Sequence, residues 1–234
     1  MSKRVIVIGD VHGQLRALNL LLAAVEWRPE DKIVFLGDLF DRGPQGHETV
    51  RFAHSLYRVG HAVVLMGNHE YKAVRWYATN TTPPERQSAA FDAADQEFLQ
   101  QGLLYYQFTH NDAPHIAVHG GFSEDDWLPP PRFPEWSALS SSKRRDAQSL
   151  MFRRTDGEAS PDWRLAYRGQ HGRVVYGHTA YRDFQVQDHS VGVDLGAGNG
   201  YDYLGCAVFA EGSPMALVKV EVPPADRVQR GCAK

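Results

Sequence analysis

The chain has 234 residues, 43% hydrophobic and 23% charged, with 25 Lys and Arg against 28 Asp and Glu and a formal net charge of −3. That length suits one large domain with a sizeable core, and the mildly acidic balance lacks the basic footprint of a dedicated nucleic-acid binder. Two cysteines exclude a disulfide framework, and the apolar run Val5 to Ile8 is too short for a signal core or a membrane span, so a reducing, cytoplasmic location is expected.

Val5 to Ile8 is a β-branched run closed by Gly-Asp and predicts a buried strand. Leu15, Leu18, Leu22 and Val25 at helical spacing predict an amphipathic helix that ends near Arg28-Pro29. Ile33 to Leu36 is a second buried strand, again closed by Gly-Asp. Val50, Ala53, Leu56 and Tyr57 mark a second helix with Gly60 as its stop, and Ala62 to Met66 is a third strand running into Gly67-Asn68-His69. Two successive βαβ units of this kind make a largely parallel sheet.

Residues 79–86 form a turn-rich break, after which Phe91, Ala94 and Phe98 share the apolar face of a helix. Ile116 to Val118 is a short strand leading into His119-Gly120-Gly121. From Phe122 to Ser142 the chain is irregular and proline-rich, too long for a plain connection, and is a candidate lid or substrate loop. Trp127 and Trp136 are expected to pack that loop rather than line a groove. Val174 to Tyr176 and segments 184–187, 191–194, 204–210 and 215–221 then read as strands, so the chain ends as a mostly antiparallel β region. A single domain over 1–222 is expected, followed by a polar tail over 223–234.

Five apolar strands end alike, with glycine beside a metal-ligating residue type: Gly9-Asp10-Val11-His12-Gly13, Gly37-Asp38, Gly67-Asn68-His69, His119-Gly120 and Gly177-His178. In an open α/β sheet, strand C-terminal ends share one edge, where ligands bind. Singly, each residue reads as a helix cap, a turn residue or a packed histidine. Together they place carboxylates, imidazoles and one amide oxygen in one crevice, without thiolate, a donor set for Mn, Fe, Zn or Mg. Dinuclear sites of this kind hold their ions roughly 3.5–4 Å apart, usually sharing a carboxylate. Asp38, on a middle strand, is the best candidate for that role.

The motifs GDVHG (9–13), GDLFDRG (37–43), GNHE (67–70), VHGG (118–121) and VYGHT (175–179) together resemble the calcineurin-like metallophosphoesterases, and within them the bacterial phosphoprotein-phosphatase group. The resemblance implies an α/β fold, a metallophosphatase-like sandwich of two mixed sheets flanked by helices in four α/β/β/α layers. It implies two divalent metal ions, with manganese expected and iron, zinc or magnesium as alternatives. Asp10 and His12 would ligate one ion, Asp38 would bridge, and Asn68, His119 and His178 would ligate the other. A metal-bound hydroxide would attack phosphorus directly. His69 matches the proton donor to the leaving oxygen, Asp41 the group that holds its imidazole, and Arg42 a phosphate-gripping arginine. Arg153 resembles the second such arginine, with a shifted aromatic position nearby.

Two departures bear on function. Ala180 stands where many relatives carry a further metal-binding histidine, which favours phosphomonoesters over cyclic phosphodiesters. Leu195 replaces a threonine after Asp194, so altered support around the metals is expected rather than a lost ion. The resemblance implies a serine/threonine protein phosphatase, extending to tyrosine, acting on a phosphorylated protein or small phosphoester. The alternative is a dinucleoside tetraphosphate hydrolase, suggested by the layout Asp162-Trp163, Tyr167-Arg168-Gly169 and Val174 to Thr179. A scaffold that has lost catalysis would have shed ligands, and none of the six is missing. No membrane partner is expected, and Lys143-Arg144-Arg145 reads as a solvated face.

Overall fold

Strands that are apolar at every position must be covered on both faces, and the topology meets that demand with two stacked sheets and outer helices. The structure is a computed structural model that describes residues 3–79, 91–122, 128–132, 140–156 and 162–228. Strands β1 (Val5–Ile8), β2 (Lys32–Phe35) and β3 (Ala62–Val64) are parallel and joined through helices α1 (Leu15–Ala24) and α2 (Gly46–Arg58), as the spacing predicts. Gly60 follows α2 at φ +79°, the left-handed stop that glycine accepts most readily. After helices α3 (Asn68–Thr79) and α4 (Ala93–Gln100), β4 (Tyr105–His110) and β5 (Ala113–Val118) form a hairpin. Helix α5 (Ser141–Phe152) precedes β6 (Arg173–Tyr176), β7 (Gln185–Val186), β8 (Ser190–Gly192), β9 (Tyr203–Phe209) and β10 (Ala216–Glu221).

The first sheet runs β10-β9-β1-β2-β3 and the second β4-β5-β6-β8-β7. Both are mixed, and helices flank them, which is the expected α/β sandwich. The expectation of a mostly antiparallel ending holds for β1–β9, β9–β10 and β7–β8 but not for the centre of the second sheet. There β6 pairs in parallel with both β5 and β8, because the long segments between them carry the chain back to the same edge. Alternate residues divide between two cores. Val7, Val34, Ala117, Val175, Val191 and Ala207 fill the space between the sheets. Ile6, Ile8, Ile33 and Phe35 point the other way and join Leu18, Leu21, Val50 and Ala53 of α1 and α2. Each fully buried Val, Leu, Ile or Phe among them contributes about 1.5–3 kcal/mol.

Two elements depart from the sequence expectation. β4 pairs with β5 through Asn111 and Asp112, both left-handed at φ +49° and +59°, the signature of a two-residue hairpin turn. Helix α5 begins at the very end of the segment expected to be irregular and continues through residues for which no element is expected, capped by Ser140, whose side chain accepts from the Lys143 backbone N–H. Its buried Ala147, Leu150 and Met151 supply the apolar stripe, while Arg144 and Arg145 are exposed, as a solvated face requires.

Most of the proposed lid, including Trp127 and Trp136, lies outside the described residues, as do most of 79–86 and Cys232. Leu104 N–H nevertheless donates to the Pro131 carbonyl at 2.8 Å, which ties the triple proline to the start of β4. The segment expected as a polar tail starts with a packed turn. A short turn at Pro224–Asp226 buries Asp226, whose carbonyl accepts from the Gln14 amide at 3.0 Å. Among the described residues, no helix is long and apolar enough to cross a membrane.

Candidate metal centre

The parallel strands of the two sheets end on a common edge, and cross-sheet hydrogen bonds fix one edge to the other. His119, after β5, is tied by Nδ1 to the Leu36 carbonyl at 2.9 Å. The His178 N–H, after β6, donates to both oxygens of Asp10 at 3.1 and 3.2 Å. Asp10 in turn follows β1. Sequence positions more than 160 residues apart are thereby brought onto one crevice.

Three predicted ligands take an unfavourable backbone there. His12, Asp38 and His178 are left-handed, with φ of +46°, +50° and +64°, as are Asp41 and Arg42 at +65° and +70°. A left-handed non-glycine residue costs of order 1–3 kcal/mol and persists where function over-determines it. Each turn aims a side chain back into the crevice.

Asp38 is central. Its Oδ2 lies 3.5 Å from His12 Nε2 and 3.8 Å from His69 Nε2, while Oδ1 lies 3.6 Å from His119 Nε2. Two groups with ligand atoms within 4.8 Å of one another share it: His12, Asp38 and His69, and Asp38, His119 and His178. Asn68 joins the second, its Oδ1 standing 3.1 Å from His119 Nε2. The histidines are oriented for ligation. His12 Nδ1 is bonded to the Phe40 carbonyl at 3.0 Å and His119 Nδ1 to Leu36, so each Nε2 faces the crevice.

The electrostatics agree with that arrangement. Burial holds the His12 and His119 imidazoles below their usual pKa, and His178 falls to about 3 through burial and then His119. Neutral imidazole is the metal-binding form. Burial alone would raise Asp38, but His69, His119 and His12 around it bring it below the usual carboxylate range. Asp10 is pushed well up by burial, then by Asp194 and Asp38. A divalent cation is the group that offsets such crowding of buried carboxylates.

Two glycines keep room for these oxygens. A Cβ on Gly67 would lie 2.3 Å from Asp38 Oδ1, and one on Gly177 2.3 Å from Asp10 Oδ1. The donor set, the converging Nε2 atoms and this clearance together fit a pair of divalent metal ions.

The remaining predicted residues fall as follows. His69 Nδ1 lies 2.6 Å from Asp41 Oδ2, both buried, and its Nε2 faces the centre. Arg42 is exposed, and its positive charge acts on Asp10 and His12. Arg153 is the residue that ends α5, its N–H donating to Ser149. The charge that reaches His178 belongs to its neighbour Arg154, whose Nε donates to Asp156 at 2.8 Å. Arg153 stays close to the crevice too, its backbone N lying 2.9 Å from where a Cβ on Gly120, next to His119, would sit.

Two further buried carboxylates support the crevice: Glu70, which has no role in the sequence reading, and Asp194, where altered support around the metals is expected. Glu70 is fully buried and accepts from three backbone N–H groups, Asp38 at 2.7 Å, Leu39 at 2.8 Å and Gly67 at 3.1 Å. It fastens the loop after β2 to that after β3, and burial, then Asp38, raises its pKa to about 7. Its place after Asn68-His69 was the available signal. Asp194 faces Asp10, accepts from the Gly196 N–H at 2.9 Å and is raised by burial to about 6.

A family model described as calcineurin-like phosphoesterase matches residues 3–194. The bis(5'-nucleosyl)-tetraphosphatase PrpE [asymmetrical] of Bacillus subtilis (strain 168) is 26% identical over 81% of this chain and 84% of its own length. A crystal structure provisionally named as a diadenosine tetraphosphatase superposes with a TM-score of 0.69 at 25% identity, covering 94% of each chain. A serine/threonine phosphatase structure from Saccharomyces cerevisiae gives a TM-score of 0.70 at 14% identity, over 97% of this chain and 83% of that one, a likeness of fold alone.

Proposed function

The chain belongs to the calcineurin-like phosphoesterase family, and from that premise we propose that it hydrolyses a dinucleoside tetraphosphate. The sequence alone put a phosphoprotein first and this substrate second. The order is reversed here because the Bacillus subtilis relative and the 25%-identical structure, each of which covers most of the chain, carry that name. One observation in the chain itself carries the reading: the Asp162-Trp163 to Thr179 layout is a single packed unit beneath the crevice. Trp163 meets the Tyr176 ring at 5.3 Å, Phe122 stacks on Tyr167 at 5.1 Å, and Arg164 joins Asp162 to the Tyr176 hydroxyl at 2.8 Å.

In this proposal Asp10 and His12 would hold one divalent ion, Asn68, His119 and His178 would hold the other, and Asp38 would contribute to both. When bound, the ions supply positive charge and a water of lowered pKa. The side chains do the rest. Arg42, with a second arginine from the Arg153-Arg154 pair, grips phosphate oxygens from outside the buried centre, where a planar guanidinium matches them. His69 carries a proton on Nε2 to the leaving phosphate oxygen, and Asp41, on Nδ1, fixes the ring for that transfer. Glu70 holds the two loops bearing Asp38 and Asn68 in register.

Incubating the manganese-loaded protein with diadenosine tetraphosphate and separating the nucleotides tests this. Catalytic turnover to adenine nucleotides is expected, and the product pair reports which anhydride breaks: mono- and triphosphate for unequal cleavage, two diphosphates for equal. Absence of any nucleotide product alongside hydrolysis of an aryl phosphate would overturn the substrate while leaving the family intact.

A further inference from the structure

Arg42 carries a long, exposed side chain on a left-handed backbone at the rim. Its Nη1 donates to the side-chain oxygen of Asn199, 157 residues away. We propose that Asn199 is a positioning residue that sets the Arg42 guanidinium over the metal centre. This rests on the reading of Arg42 as a phosphate-gripping group.

The turn that bears Asn199 is itself fixed to the first strand end. Gly196 N–H donates to Asp194, and the Asn199 and Tyr201 N–H groups donate to the Gly196 carbonyl at 2.8 and 3.2 Å. The buried Gln14 amide donates to the Ala197 carbonyl at 3.3 Å. Gly198 sits so close to His12 that a Cβ there would lie 2.4 Å from the His12 Cβ. The turn thus rests on a predicted metal ligand, and Asn199 is presented to Arg42 from that seat.

The residue type matters. A free arginine side chain has about 2 kcal/mol of rotamer entropy to lose when it grips an anion, and anchoring one N–H beforehand removes part of that cost. A carboxylate would anchor it too, but would also neutralise the charge that attracts phosphate. An amide oxygen is a neutral acceptor that uses one of five guanidinium N–H donors and leaves the others for the substrate. The charge of Arg42 remains felt at Asp10, His12 and Asp194.

The test uses the manganese-loaded full chain, an aryl phosphate as substrate and inorganic phosphate as competitive inhibitor, so it does not depend on the dinucleotide reading. Asn199→Ala is expected to raise KM and the inhibition constant for phosphate about three- to tenfold with kcat within about twofold. Asn199→Asp, nearly isosteric, is expected to raise both further. The double variant with Arg42→Ala should match Arg42→Ala alone. An unchanged phosphate constant in Asn199→Asp, or effects that multiply in the double variant, would overturn the proposal. Should Asn199→Ala fold poorly, the Asp variant decides. If Arg42→Ala itself leaves the constant unchanged, the reading of Arg42 fails, and the positioning role with it.

Discussion

His69 Nδ1 stands 2.6 Å from Asp41 Oδ2, and the opposite ring nitrogen looks toward Asp38 at 3.8 Å. That pairing fixes which nitrogen is free for the substrate side. His69→Asn is expected to lower turnover about 10²–10⁴-fold with both metal ions retained. The loss should be largest for poor leaving groups and shrink for activated aryl esters, read from rates beside metal analysis. Joint loss of metal and activity would make His69 a ligand, a role its nearness to His12 and Asp38 allows geometrically.

The glycines beside the ligands predict a contrast. Gly177→Ala would press a methyl group against Asp10 Oδ1, and Gly67→Ala one against Asp38 Oδ1. Both should reduce metal content at a fixed manganese concentration by about tenfold or more. Gly60→Ala has open space but a φ of +79°. It should cost about 1 kcal/mol of stability and leave metal content unchanged.

Glu70 predicts a stability effect. In Glu70→Gln only one side-chain oxygen remains for three backbone donors, and the new amide N–H₂ faces an N–H. A loss of about 2–3 kcal/mol is expected, measured as a lower urea midpoint with an unchanged slope.

His115 predicts a pH effect away from the crevice. Burial holds its pKa below the usual value, between Phe108 at 5.2 Å and Phe209 at 5.0 Å. The unfolded chain takes up a proton near pH ~6.5 and the folded chain only at lower pH, so stability is lost as pH falls from about 6.5. His115→Phe should therefore show a smaller drop in Tm between about pH 7.5 and about pH 5.5 than the parent. An equal drop would show that His115 does not contribute.

Much of the centre was legible because a strand end is a strong local signal. Asp10, Asp38 and Asn68 each follow a buried run and a glycine, and the parallel βαβ order brings them to one edge. Less could be read where contacts are long-range. Glu70 and Asn199 act through partners 31 and 157 residues away, and although Glu70 closes the GNHE motif, neither position reveals its partner locally. The β4 strand was missed because Tyr105–His110 is only partly buried and lacks a clean alternation, although Asn111-Asp112 marks the turn. α5 was missed because its serine-rich, basic start resembles a loop until Ala147, Leu150 and Met151 are counted at helical spacing.

The most direct measurement is the ratio of kcat/KM for diadenosine tetraphosphate to that for serine, threonine and tyrosine phosphopeptides, on one manganese-loaded preparation. The expected ratio is about a hundredfold or more in favour of the tetraphosphate, about 2.7 kcal/mol of preferential transition-state binding. A phosphopeptide hydrolysed as efficiently as the tetraphosphate, or more so, would contradict it.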